Sequence, residues 1–65
     1  MQHKILDHAR DRDDVIVRVG DYIHYWRMET SVRIEKIVHN YGGAVLFFNN
    51  GDRAAAMDCW VPNER

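Results

Sequence analysis

At 65 residues the chain makes one domain, and a domain this small buries only roughly 60% of the surface its unfolded form exposes, so help with stability is expected. The single cysteine excludes an internal disulfide and a paired-cysteine zinc motif, and a hydrophobic share of 46% argues against disorder. A net charge of −1, with both signs mixed along the chain, leaves only a weak electrostatic footprint for nucleic acid, and self-association becomes the expected supplement.

The opening stretch MQHKILDHARDRDD has no apolar core of the signal-peptide kind, and no run approaches membrane-spanning length. A cytoplasmic setting and no membrane partner are therefore expected. Within that stretch Ile5, Leu6 and Ala9 form a narrow apolar stripe at helical spacing. Residues 1–14 are thus expected as a short helix, ending near Arg12, or as an arm. Asp13 and Asp14 would oppose the macrodipole at the C-terminus of any longer helix.

From Val15 the period changes to two. VIVRV sets Val15, Val17 and Val19 on one face against Ile16 and Arg18, as a strand does. Gly20-Asp21 bends the chain into YIHYW, where Ile23 and Tyr25 oppose Tyr22, His24 and Trp26. RMETS is a polar connection. VRIEKIVHNY begins as an alternating strand with Val32 and Ile34 inward, and the adjacent Ile37-Val38 breaks the alternation, as a bulge or a stretch buried on both sides would. Gly42-Gly43 permits a tight turn.

Asn50-Gly51 is a strong hairpin signal, since both central residues of a type I′ turn need positive φ. That turn would set Phe47 opposite Ala54, Leu46 opposite Ala55 and Val45 opposite Ala56. Both faces of the hairpin are then apolar, whereas a strand buried on one side alternates with polar residues. One face should meet the domain's own core. Val45, Phe47, Ala54 and Ala56 are expected to form the other, packed against a second copy of the chain. Cys59, Trp60 and Val61 close the core before Pro62 stops the last strand.

Short strands at this spacing predict a small antiparallel barrel over residues 15–62, with 63–65 as a tail. VGDYI (Val19–Ile23), RIEKI (Arg33–Ile37) and FNNG (Phe48–Gly51) follow one another in an order that resembles the SH3-like barrels of the Tudor and KOW type. The resemblance implies a mainly β, SH3-like antiparallel barrel of four to five strands with the N-terminal helix or arm attached. It also implies binding of peptides, methylated side chains or nucleic acid. In length and style the chain is similar to small accessory proteins of phages and plasmids. Plasmid-borne dihydrofolate reductases are SH3-like too, but their pore carries a Val-Gln-Ile-Tyr stretch where RAAAMD stands here.

Candidate sites follow from exposed aromatic and charged positions. Tyr22, His24 and Trp26, with Tyr41 from a neighbouring loop, are the expected partner-binding set, since an aromatic cage holds a methylated cation by cation–π attraction. The alternative is that Tyr22 and Trp26 cover the end of a barrel too small to bury them. Arg18, Arg27, Arg33 and Lys36 would contact phosphate if they shared a face; otherwise they belong to a solvated mixed-charge surface. His3, His8, His24 and His39 are scattered, so no metal or cofactor is expected. Cys59 reads as a small buried thiol rather than a nucleophile. The expected role is non-catalytic: a homodimeric module that binds a protein partner. A nucleic-acid-binding accessory protein is the second reading, and an oligomeric enzyme with a site at a subunit junction is the third.

Overall fold

One long strand organises the molecule. The computed structural model describes residues 4–26, 31–40 and 42–62, and among these the chain is mainly β. The strands are β1 (Lys4–Leu6), β2 (His8–Arg10), β3 (Ile16–Arg18), β4 (Tyr22–Tyr25), β5 (Val32–Asn40), β6 (Gly43–Phe48), β7 (Arg53–Ala55) and β8 (Cys59–Trp60). A single 3-10 turn at Ala56–Asp58 separates the last two. β5 pairs with β6 along one edge, while its other edge is shared by β4 at Val32–Arg33 and β1 at Ile37–His39. All of these pairings are antiparallel. The sheet runs β7-β6-β5-β4-β8, and β2 and β3 form a separate two-stranded ribbon. β7 and β8 do not pair with each other, so the sheet stays open.

The break in alternation along β5 is a bulge. Ile34 lies opposite Phe48 and Lys36 opposite Phe47, so Glu35 is the extra residue. Val32 and Ile34 point inward before it, as their spacing predicts, and Ile37 points inward after it. The bulge also bends the strand, and so lets one strand serve β4 in its first half and β1 in its second. Behind it, Leu6, Ile37, Leu46 and Ala54 lie side by side across four strands as one inward row. Val17, Ile23, Tyr25, Phe48, Ala56 and Cys59 complete the core. In β4, Ile23 and Tyr25 are buried opposite Tyr22, as expected from the alternation.

Two expectations are corrected. The N-terminal stretch is not a helix: residues 4–10 form β1 and β2, since pairing with β5 buries part of Leu6 and pairing with β3 buries Ala9. The Asn-Gly hairpin is also not of the two-residue type I′ kind. Gly51 N–H donates to the Phe48 carbonyl (3.1 Å) and Phe48 N–H to the Asp52 carbonyl (2.9 Å). This is a three-residue loop, in which Gly51 alone has positive φ, at 90°. The register consequently slips by one, to Phe47–Arg53, Leu46–Ala54 and Val45–Ala55. A one-residue slip exchanges faces. Ala54 and Ala56 therefore lie in the core, while Val45 and Phe47 sit on the opposite face.

Candidate functional site

The outward side of β1, β5, β6 and β7 is unusually apolar for a sheet face. Ile5 pairs with Val38, Val38 with Val45 and Val45 with Ala55, so four apolar residues form a straight row across four strands. Val38 is 7% exposed yet does not belong to the core cluster, because its cover comes from this outer row. Ile5, at the end of the row, is 66% exposed. One step along the strands, Lys36, Phe47 and Arg53 make a second row. The Lys36 ammonium lies 4.9 Å from the Phe47 ring centroid and the Arg53 guanidinium 5.9 Å, both within cation–π range.

The two rows line a groove of about 400 Å³ bounded by Ile5, Lys36, Val38, Asn40, Val45, Phe47 and Arg53. No carboxylate among the described residues lines it. Among the described residues, neither Lys36 nor Arg53 has an acidic side chain within ion-pair distance. The bulge matters here too. It sets Lys36, Val38 and Asn40 outward together, where unbroken alternation from Ile34 would have pointed them into the core.

The expected self-association set is therefore divided. Val45 and Phe47 are in the groove, whereas Ala54 and Ala56 are behind the sheet. Sequence reasoning missed Ile5 because residues 4–6 carried helical spacing, and Arg53 because the expected type I′ register set it opposite Phe48, whereas the observed register sets it opposite Phe47. The adjacent Ile37-Val38 pair was the available signal for Val38: one residue for each side of the sheet.

The aromatic set lies on another part of the surface. Tyr22 and Trp26 are 58% and 63% exposed, and His24 is half-buried. Among the described residues, His24 meets Trp60 edge-on at 5.9 Å and Trp26 meets Tyr25 at 6.4 Å, but Tyr22, His24 and Trp26 do not meet one another. Arg12 lies over Trp60 at 4.4 Å, and His24 Nε2 is 3.1 Å from Ser31 Oγ. The result is a layered Arg12–Trp60–His24 surface rather than a cage converging on one point. Tyr41 lies outside the described residues.

The basic residues occupy different parts of the molecule. Arg18 is on the β2–β3 ribbon opposite His8, Arg33 is opposite Tyr22 and pairs with Glu35 (3.4 Å), and Lys36 flanks the groove. Arg27 lies outside the described residues. Cys59 is buried; its thiol donates to the Ala55 carbonyl (3.3 Å), and burial, with Asp58 and Asp11 nearby, pushes its pKa up to about 12. A thiol so protonated is a poor nucleophile. Among the described residues no three metal-ligating side chains converge, and no helix is long and apolar enough to cross a membrane.

No protein-family model, curated protein or solved structure matches the chain.

Proposed function

We propose that this chain is a non-catalytic binding module, built as a small SH3-like barrel left open at one side, which takes a polypeptide segment of a protein partner into the groove around Phe47. The observation that carries this reading is the row Ile5–Val38–Val45–Ala55 on the face turned away from the core. A chain this short has few apolar side chains to spare from its interior, and an aligned apolar row flanked by polar groups marks an interaction site. The barrel reading draws on the bulged β5, which serves two parts of one antiparallel sheet, as a strand must at the corner of a small barrel.

A peptide-display selection on the immobilised protein tests the reading. Sequences with a hydrophobic anchor are expected to be enriched on the wild type and lost on Val45→Asp, which puts a charge in the groove while Leu46 and Ala54 stay packed behind it. Circular dichroism confirms that the variant is folded. A selection that enriches nothing, or enriches the same sequences on both proteins, would contradict the proposal.

A further inference from the structure

Resting on that reading, we infer that the segment this groove receives is acidic as well as apolar: a hydrophobic side chain seated over Val38 and Val45, with neighbouring carboxylates reaching Lys36 and Arg53. The charge pattern points to it. Lys36 and Arg53 stand on either side of Phe47 in one row, two strand spacings apart, or roughly 10 Å. In an extended segment, carboxylates on alternate residues lie roughly 7 Å apart on the same side. Two long, flexible cationic side chains span that difference. The charged ends of both lie beside the Phe47 ring on side chains that remain exposed, and among the described residues no carboxylate of the groove neutralises them. A partner's acidic groups therefore meet charges that are not already spoken for.

The same pattern disfavours two other occupants. A second copy placed on this face about a two-fold axis would bring the cations of the two copies together, with no lining carboxylate among the described residues to separate them. Single-stranded nucleic acid would supply anionic phosphate, but its bases need an open aromatic face, and the Phe47 ring already carries Lys36 at 4.9 Å. Apart from Asn40 the remainder of the groove, Ile5, Val38 and Val45, is aliphatic, which suits a side chain better than a base.

The experiment starts from the most enriched sequence of the display selection. It is synthesised with a fluorescent label in three forms, with the positions flanking its anchor both Asp, both Asn or both Lys. Each form is titrated by fluorescence polarisation against the wild type and Lys36→Glu/Arg53→Glu. On the wild type the Asp form is expected to bind at least about fivefold more tightly than the Asn form, with the Lys form weakest, and added salt should narrow the gap. In the double variant the order should reverse. If that variant is unfolded by circular dichroism, Lys36→Met and Arg53→Met are each expected to lose part of the Asp preference. Equal binding of the three forms to the wild type would overturn the acidic preference and leave the groove itself standing. A selection that enriches nothing would overturn both. An oligothymidylate that outcompetes the Asp form would overturn the inference in favour of nucleic acid. A wild-type dimer in sedimentation that Val45→Asp dissociates would overturn it in favour of a second copy.

Discussion

Asp11 is 2% exposed, and its side chain accepts from three backbone N–H groups. Its Oδ1 accepts from Asp13 N–H (2.8 Å) and Val15 N–H (3.0 Å), and its Oδ2 from Val61 N–H (3.2 Å). One side chain thereby closes the β2–β3 turn and ties the residue after β8 to it. Asp11→Ala would leave these donors without their acceptor, which costs about 1–3 kcal/mol in a buried setting; a denaturation midpoint measures it. Cys59 adds a dependence on pH. Its folded pKa is raised from 9.0 to about 12, so above pH 9 the unfolded chain releases the thiol proton while the folded chain keeps it. The thiol's contribution is fully present below 9 and is lost as pH rises toward about 12. Comparison with Cys59→Ala over that window isolates it from other alkaline titrations, and the variant's stability should fall less steeply. Below the window the thiol of the folded protein should react with a disulfide reagent only as fast as the chain opens.

The two hairpin loops at Asp11–Val15 and Phe48–Asp52 share one design. Asp14 N–H donates to the Asp11 carbonyl and Asp11 N–H to the Val15 carbonyl, each at 3.0 Å, matching the bonds around Gly51. In each loop the third residue has positive φ, 67° at Asp14 and 90° at Gly51. Glycine adopts that conformation without strain and aspartate less readily. Opposite outcomes are therefore expected from opposite changes, both read as denaturation midpoints. Asp14→Gly should stabilise the fold by up to about 1 kcal/mol, and Gly51→Val should destabilise it by at least about 1 kcal/mol. A Cβ at Gly51 would meet nothing within 4 Å, so the second effect belongs to the backbone alone. The turn itself was legible from Asn50-Gly51, but its length was not. The loop is pinned from outside its own sequence: the Tyr25 hydroxyl donates to Asp52 Oδ2 (2.6 Å) and accepts from Asn50 Nδ2 (3.3 Å). Tyr25→Phe should loosen it, raising amide exchange at Gly51 and Asp52 and costing about 1 kcal/mol.

Across the whole molecule, the sheet has two apolar sides with different duties. The alternation of β4 and the first half of β5 could be read directly from residue type, as could the buried thiol. The N-terminal strands could not, because Ile5, Leu6 and Ala9 satisfy a helical stripe as well as two short strands, and only pairing with β5 and β3 decides between them. The groove shared that fate. Val45 and Phe47 were visible as apolar residues without a polar alternate, but Ile5, Lys36, Val38 and Arg53 join them only through the bulge at Glu35 and the slipped hairpin register. The proposed function depends on which face of the molecule a partner occupies, and amide chemical-shift mapping with the display-selected peptide is the decisive measurement. The largest changes are expected at Ile5, Lys36, Val38, Val45, Phe47 and Arg53, with little movement around Trp60. Changes concentrated at Tyr22, His24 and Trp60, with the groove residues unmoved, would contradict it.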